Sequence, residues 1–267
     1  MGVRRDSPAD PPASGDGAIR RVLAYHEFSC LLSRDVYQLH PKVFQSQLRA
    51  LQTTAQPGVR LQITFDDAHR SQLELATPLL EESGLRGLFF APAGWIGARP
   101  AIATWNQLRA LIGAGHAVGS HGQTHTLLTH CSPAQLREEL VRSRTTLEDG
   151  LGQSVSGISM PGGRWNATVA AACLAAGYRE LYTSEPGSTL QWIGDDTGKS
   201  LAIVGRLGVR RTMALHTLVG YAAADPLVTI RLKVEYRAKQ ALKRALGDVS
   251  YQRLWRRLLR SPVETAF

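Results

Sequence analysis

Two neighbouring carboxylates follow an apolar segment of the chain. Asp66 and Asp67 come directly after residues 61–65, which alternate apolar and polar side chains as a half-buried β-strand does. Loops that follow parallel strands in α/β folds face a common crevice, so these carboxylates are candidates for chemistry. A nearby cation would keep both of them charged. The alternative is that one Asp caps the next helix and the other is solvated.

A second strand-like segment ends in two histidines. His121 and His125 follow residues 118–120. If a helical turn follows this strand, the four-residue spacing places both imidazoles on one face. Imidazole and carboxylate together are the ligands of a borderline divalent metal such as zinc. Neither segment is specific alone, but the two together predict a metal site.

A third segment carries paired glycines after an apolar strand-like stretch. Gly162 and Gly163 follow Met160 and Pro161. Glycines at such a position let backbone N–H groups approach a ligand closely. The alternative is a tight turn without a ligand.

The three segments resemble, in order and spacing, the motifs of the polysaccharide deacetylase family (NodB-like, carbohydrate esterase family 4). The resemblance extends from about residue 22 to about residue 186. It implies an α/β fold, a distorted and incomplete (β/α) barrel, for which we expect about seven parallel strands. It also implies a metal-dependent hydrolase, with Zn²⁺ as the expected ion. The expected reaction removes an N-acetyl group from an amino sugar, in a polysaccharide or in its lipid-linked or nucleotide-linked precursor.

The resemblance assigns roles to individual residues. It implies that Asp67, His121 and His125 are the metal ligands and that Asp66 is the general base. The substrate and oxyanion side of the site is expected to include Gly162, Gly163, Arg164 and Trp165.

The general acid is less clearly marked. Family members use a late histidine, and only His216, in Ala214-Leu215-His216, matches that pattern loosely. His26, which follows the predicted first strand 19–25, is the competing candidate. For His26 the alternative is a hydrogen-bonded structural histidine.

The chain departs from the family at the third motif. Members carry an Arg two residues before the motif proline and an aromatic residue after it, whereas this chain has Ser159 and Gly162. The Arg that orients the base is therefore missing from its usual place, and we expect Arg164 to reach back to Asp66. These departures keep two alternatives open: a non-catalytic relative that binds metal or glycan, and a hydrolase of another non-peptide C–N amide.

Other polar and aromatic residues near the motifs have simpler interpretations. His69, His116 and His130 lie off the ligand spacing and are expected to be structural or to support the ligands. Trp95 could stack on a sugar, but a single loop tryptophan more often packs against its own protein.

Composition limits the remaining classes. The chain has 267 residues, 43% of them hydrophobic, which is enough for a single α/β barrel. Its net charge of +9 is concentrated between residues 230 and 260, where ten basic residues face two acidic ones. This tail does not support a nucleic-acid-binding protein.

Three organisational expectations follow. Residues 1–17 are expected to be disordered, residues 18–228 to form the barrel, and residues 229–267 to form a basic helical extension. Within the extension we predict helices at 232–246 and 251–259, with Val234, Ala238, Ala241, Leu242 and Ala245 on one side. Such helices could contact an anionic membrane peripherally, or pack on the barrel with a solvated outer face.

The expected compartment is the cytoplasm. The N-terminus lacks the apolar core of a secretion signal, and no apolar run reaches the roughly 20 residues that cross a bilayer. The three cysteines show no Cys-x-x-Cys spacing and are interpreted as reduced thiols.

Overall fold

A curled, mostly parallel sheet with helices around it forms the fold. The computed structural model of the protein describes residues 19–31, 35–54 and 56–258, with side chains described as far as residue 243. The strands are β1 (Ile19–Tyr25), β2 (Glu27–Phe28), β3 (Gln38–Leu39), β4 (Val59–Phe65), β5 (Gly87–Ala91), β6 (Ala117–Ser120), β7 (Gly157–Ser159), β8 (Glu180–Tyr182), β9 (Thr189–Gly194), β10 (Ser200–Val204) and β11 (Leu207–Gly208). The helices are α1 (Pro41–Gln52), α2 (Thr77–Glu82), α3 (Trp105–Gly113), α4 (Pro133–Leu151), α5 (Ala167–Ala175), α6 (Leu215–Ala222) and α7 (Pro226–Leu258).

Nine strands join in the main sheet, in the order β11-β1-β4-β5-β6-β7-β8-β10-β9. All neighbours are parallel except β9, which pairs antiparallel with β10. The predicted (β/α) barrel class is therefore confirmed in its incomplete form. The sheet has more strands than the seven expected, because the short β11 and the hairpin strand β9 extend its two edges.

The register of the sheet brings the strand ends together. Tyr25 pairs with Phe65, and Phe65 with Phe89, so β1, β4 and β5 end at one level. Ser120 at the end of β6 pairs with Ile158 of β7. Residues that follow these strands therefore leave the sheet at the same edge, where the loops share a crevice.

Aromatic packing fixes the strand that carries the carboxylates. The Phe65 ring is fully buried and stacks on Phe89 at 4.5 Å, with Tyr25 at 5.8 Å on another side. Burial of a large apolar side chain of this kind contributes about 1.5–3 kcal/mol to stability. The position of Asp66, the next residue, is thus set by the core beneath it.

The segment after the carboxylates begins with a π-helical turn at Gln72–Ala76, which leads into α2. The two C-terminal helices are a single helix, α7, which starts at Pro226. The placement of a domain boundary near residue 229 stays a prediction, and the predicted disordered segment 1–17 lies outside the described residues.

Only some of the apolar side chains of α7 lie in the core. Leu232 is buried, whereas Val234 and Leu242 are 61% and 42% exposed. In the part of the chain that the structure describes, no helix has both the length and the hydropathy to cross a membrane. All three cysteines are free thiols.

Candidate active site

One carboxylate and two imidazoles converge at the shared edge of the sheet. The ligand atoms of Asp67, His121 and His125 all lie within 4.8 Å of one another. The Oδ1 atom of Asp67 is 3.4 Å from Nε2 of His121 and 3.1 Å from Nε2 of His125. Asp67 leaves the end of β4, and the histidines follow β6, two strands away in the sheet. The predicted convergence of these three residues therefore occurs.

The donor set fits a divalent cation. The buried Oδ1 of Asp67 has no hydrogen bond of good geometry among the described residues, although two imidazole nitrogens face it. Nδ1 of His121 donates to the Ser159 carbonyl at 2.8 Å, which fixes the ring with Nε2 toward Asp67. Burial alone would raise the pKa of Asp67, but the two imidazoles outweigh it and hold that pKa well below its usual range.

The backbone is strained where these ligands sit. Asp67 has φ +74°, Ala68 φ +49° and His125 φ +62°, a left-handed region that L-residues avoid. Each such residue costs of order 1–3 kcal/mol and persists only where the surroundings enforce it. The strain aims the Asp67 and His125 side chains inward, as expected at a binding or catalytic site.

The loop between the two histidines is not helical, contrary to the prediction. Gly122 has φ +78°, which breaks any helical turn after β6. The loop is instead held by the buried carboxylate of Glu139 on α4, which accepts hydrogen bonds from Gln123 N at 2.9 Å and Thr124 N at 3.0 Å. The Thr124 hydroxyl donates to the same carboxylate at 2.7 Å. Glu139 was missed from sequence because an acidic residue within a helix gives no local signal.

Asp66 is held by an arginine that is distant from it in sequence. Arg206, between β10 and β11, donates to Oδ1 of Asp66 at 2.7 Å and to Oδ2 at 2.8 Å. Its side chain is 1% exposed and that of Asp66 is 5% exposed. Burial would raise the pKa of Asp66, but the guanidinium and the nearby His121 lower it to about 2. Asp66 is therefore an ionised carboxylate throughout the neutral range.

Ser159 takes part in the same network. Its hydroxyl lies 2.7 Å from Nη2 of Arg206 and donates to Oδ2 of Asp66 at 3.1 Å. Where the family carries an arginine, this chain carries a small hydroxyl and brings the guanidinium from position 206. The expectation that Arg164 would reach Asp66 is therefore wrong. The signal that could have found Arg206 is its position two residues after the strand β10, near the end of the sheet where site residues collect.

A buried glutamine ties two of the loops together. The side-chain amide of Gln72 donates to the His26 carbonyl at 2.6 Å and to the Asp66 carbonyl at 2.5 Å. Gln72 begins the π-helical turn, a local irregularity that is frequent at functional sites. The cross-link fixes the end of β1 against the end of β4.

A cavity of about 410 Å³ opens onto these residues. His26, Asp66, Asp67, His121 and His125 line it. The Nδ1 atom of His26 is buried and makes no hydrogen bond to described residues.

The other general-acid candidate lies elsewhere. His216, at the start of α6, is exposed and does not line the cavity. We therefore do not retain His216 as the candidate general acid, because a catalytic acid must reach the substrate. Among the described histidines outside the ligand pair, His26 is the one on the cavity wall.

At the glycine pair the backbone lies close to the cavity, and one of the two N–H groups is a candidate hydrogen-bond donor to a ligand. Gly162 and Gly163 both line the cavity, with φ +66° and +68°. The Gly163 N–H already donates to the Met160 carbonyl at 2.7 Å, and a Cβ there would lie 2.1 Å from Ser184 Oγ. The expectation that Gly163 could serve as an oxyanion donor is therefore wrong, and Gly162 is the remaining candidate.

Arg164 and Trp165 line a second cavity, of about 810 Å³. It adjoins the first through shared lining residues, Gly163, Tyr236, Gln240 and Lys243. Trp165 also packs against the hydrophobic core. Both residues are thus beside the catalytic cavity and not within it.

Three of the remaining candidates, Trp95, His116 and His69, make contacts within the protein. The Trp95 ring lies 4.9 Å from that of His125 and carries the Arg99 guanidinium at 3.7 Å on its ring. His116 accepts from Gly87 N at 3.0 Å and lies 3.1 Å from a Glu81 carboxylate oxygen. His69 hydrogen-bonds Ser71 Oγ at 2.7 Å.

Fold and site together define a curled (β/α) half-barrel with an Asp-His-His cluster and a buried Asp-Arg pair at the ends of its strands. Residues 54–181 match the family model described as Polysaccharide deacetylase. Over this segment, which is just under half of the chain, the protein is similar to the polysaccharide deacetylase family.

Two curated relatives match a similar portion. The Bacillus subtilis (strain 168) protein YxkH, which carries the name of a polysaccharide deacetylase, is 29% identical over 126 residues, 47% of this chain and 45% of the relative. The chitooligosaccharide deacetylase of Bradyrhizobium sp. (strain ANU 289) is 24% identical over 127 residues, 46% and 54% of the two chains. The chain spans about half the length of the curated relatives it matches.

Solved structures share the fold over more of the chain. The Streptococcus pyogenes deacetylase PplD, in complex with acetate, aligns with TM-score 0.65 at 21% identity, covering 77% of this chain and 99% of that one. IcaB from Ammonifex degensii aligns with TM-score 0.65 at 22% identity, covering 78% and 98%. At these identities the likeness establishes the fold.

Proposed function

We propose that the protein is a metal-dependent hydrolase acting on a non-peptide carbon–nitrogen bond, which removes the N-acetyl group from an amino sugar. The observation that carries the proposal is the convergence of Asp67, His121 and His125 within 4.8 Å, with the ionised Asp66 on the wall of the same cavity. The match of residues 54–181 to the polysaccharide deacetylase family model supports it. The sugar belongs to a polysaccharide or to its lipid-linked or nucleotide-linked precursor.

Asp67, His121 and His125 would hold the metal, and their mixed nitrogen and oxygen donors favour Zn²⁺. When bound, the ion lowers the pKa of water and polarises the acetyl carbonyl. The chain's own contribution is to hold three donors in place and to leave the remaining directions open to the cavity.

Asp66 is the proposed general base. Arg206 keeps it charged and fixes both carboxylate oxygens, so a lone pair stays available on the cavity side. Ser159 stands where the family carries the arginine that orients the base, and Arg206 provides that guanidinium instead. The Arg206–Asp66 pair therefore favours a catalytic protein over a non-catalytic relative.

His26 is the proposed general acid. The sugar amine leaves only when it receives a proton, and His26 is on the cavity wall beside the carboxylates. A positioned acid or base contributes typically 10²–10⁴-fold in rate. The N–H of Gly162 is the proposed backbone donor for the charge that develops on the acetyl oxygen.

Two further expectations stay proposals. We retain the cytoplasm as the expected compartment. We also retain a peripheral contact between α7 and an anionic membrane as a prediction, for which the described side chains give no direct support.

Acetate release is the test. Zn²⁺-loaded protein is assayed on N-acetylglucosamine oligomers and on precursor sugars, together with Asp66→Asn. We expect Asp66→Asn to keep its metal and to lose turnover by about 10²–10⁴-fold. The control is Asp196→Asn, which makes the same change at an exposed residue outside the cavity. Undiminished turnover by Asp66→Asn would contradict the proposed mechanism.

A further inference from the structure

An aromatic side chain lies on the wall of the catalytic cavity. Tyr37 lines this cavity together with His26, Asp66 and Asp67. The residue is 41% exposed, and it does not line the adjoining cavity. Its ring is therefore accessible to a ligand that occupies the space next to the catalytic groups.

A short pair of parallel strands explains why Tyr37 lies beside His26. β2 begins at Glu27 and β3 at Gln38, and these two residues pair with each other in the register. His26 and Tyr37 directly precede them, so the pairing brings the two residues side by side. Their ring centroids are 4.9 Å apart, with 45° between the ring planes.

Contacts on both sides fix the position of Tyr37. Its N–H donates to Oδ1 of Asp35 at 2.8 Å. The carbonyl of the preceding Val36 accepts from Arg211 N at 2.8 Å. Gly208, at the end of β11, lies next to the ring, since a Cβ at this glycine would be 3.8 Å from Cε1 of Tyr37. The ring is thus held against the end of the sheet.

The third motif adds no aromatic ring to the catalytic cavity. Position 162 is a glycine, and Trp165 lines the adjoining cavity. Among the described lining residues, the aromatic side chains other than histidines are Tyr37 and Tyr236. Tyr236 lines both cavities. Tyr37 is therefore the tyrosine that lines the catalytic cavity alone.

We infer that Tyr37 binds the sugar ring that carries the acetamide, by stacking against the C–H groups on one face of the pyranose. This inference rests on the proposed function and assigns the surface that binds the ring of its substrate. Aromatic side chains combine a large apolar face with low flexibility, which suits contact with such a C–H surface. Because the rings of Tyr37 and His26 are neighbours, a sugar on Tyr37 lies next to the proposed general acid.

The experiment measures steady-state acetate release from an N-acetylglucosamine disaccharide by the Zn²⁺-loaded parent and three variants. Tyr37→Ala removes the ring, and Tyr37→Phe keeps the ring and removes only the hydroxyl. Trp192→Ala is the control, because Trp192 is an aromatic residue that is 53% exposed and lines neither cavity.

Stacking acts alike on the bound substrate and on the transition state, so it contributes mainly to KM. We expect Tyr37→Ala to raise KM about tenfold while kcat stays within about threefold of the parent. Tyr37→Phe is expected to retain most of the affinity that Tyr37→Ala loses, and Trp192→Ala to match the parent.

Three outcomes would overturn the inference. A fall in kcat at unchanged KM in Tyr37→Ala would mean that the ring only supports His26. Equal losses in Tyr37→Ala and Tyr37→Phe would mean that the hydroxyl, and not the ring, binds the substrate. Acetate release that Tyr37→Ala leaves unaltered would remove the role of Tyr37 and leave the proposed function intact.

A binding measurement tests the inference if the parent releases no acetate. Saturation-transfer NMR of the same disaccharide is recorded on the Asp66→Asn protein, which needs no turnover, and on that protein with Tyr37→Ala or Trp192→Ala added. Irradiation of the aromatic protons of the protein is expected to saturate the protons of the sugar ring. This transfer should be largely lost with Tyr37→Ala and kept with Trp192→Ala. Absent binding, or equal transfer in all three proteins, would overturn the inference.

Discussion

The two halves of the site differ in how far apart their residues lie in the sequence. One half, which we call the metal half, consists of the proposed metal ligands Asp67, His121 and His125, each within a short motif after a strand. The acid–base half depends on long-range partners, because Asp66 is held by Arg206, 140 positions away. The metal half can therefore be recognised locally, while the acid–base half depends on how the sheet curls to bring β10 and β11 around to β4.

The largest expected effect is from Arg206→Met, which breaks the long-range half alone. It leaves the Asp66 carboxylate buried without its cation, and removing one partner of a buried pair costs about 3–5 kcal/mol. Turnover is expected to fall at least 10²-fold, while metal binding persists because Arg206 does not contact the ligands. Urea unfolding, metal content and acetate release measure the three properties.

Two further variants, a control and a rescue, test whether that result is due to the buried pair. Arg211→Met removes an exposed arginine of the neighbouring loop and is the control. Ser159→Arg in the Arg206→Met background returns a guanidinium to the family's usual position and is expected to recover part of the activity. If Arg206→Met and Arg211→Met behave alike, the buried pair does not have the assigned role.

The same pair predicts a pH dependence of stability. The pKa of Asp66 is lowered to about 2 in the folded protein from an ordinary 3.8. Its contribution, on the order of 2 kcal/mol, is therefore present above about pH 4 and is lost as the pH falls toward 2. In Arg206→Met, burial without the cation raises that pKa. The stability gap between the parent and the variant should be widest near neutral pH and narrow on acidification; a gap independent of pH would refute this.

The next largest loss of activity is expected from replacing the proposed general acid. His26→Gln should lower kcat by about 10²–10⁴-fold, because His26 lies on the cavity wall. His216→Gln is the matched change at the exposed histidine and should alter kcat less than twofold. Steady-state acetate release on the same sugar compares them. A larger loss in His216→Gln would reverse the assignment.

The smallest effect is expected where a distant residue supports the metal half. Glu139→Gln removes charge from the carboxylate that holds the loop between the two histidines, and changes of this kind weaken metal affinity by about 10–100-fold. Glu138→Gln is the control on the same helix, at a side chain that is 69% exposed. Competition with a chelator gives both affinities. Equal affinities would mean that the loop holds its shape without Glu139.

The strands and the candidate metal ligands could be predicted from sequence because both depend on local patterns. Residues 19–25 were predicted as a strand because apolar segments of that length are typical of buried parallel strands. Asp67, His121 and His125 were found because the ends of such strands meet. These inferences need only local pattern and one general rule of α/β topology.

The features that could not be predicted from sequence depend on backbone conformation and on tertiary contacts. The helical turn expected between His121 and His125 failed because Gly122 and His125 adopt left-handed conformations. Arg164 was proposed because it is near the motif in sequence, whereas the curl of the sheet brings the Arg206 guanidinium to Asp66. His216 matched a motif loosely, but the fold places it outside the cavity.

The most direct test of the account is a metal-binding titration of three proteins: the parent, Asp67→Ala and Asp66→Asn. We expect one Zn²⁺ per chain for the parent and for Asp66→Asn, and an affinity lower by at least about 100-fold for Asp67→Ala, which lacks one of the three proposed ligands. Binding by Asp67→Ala as tight as by the parent would contradict the assignment of the site.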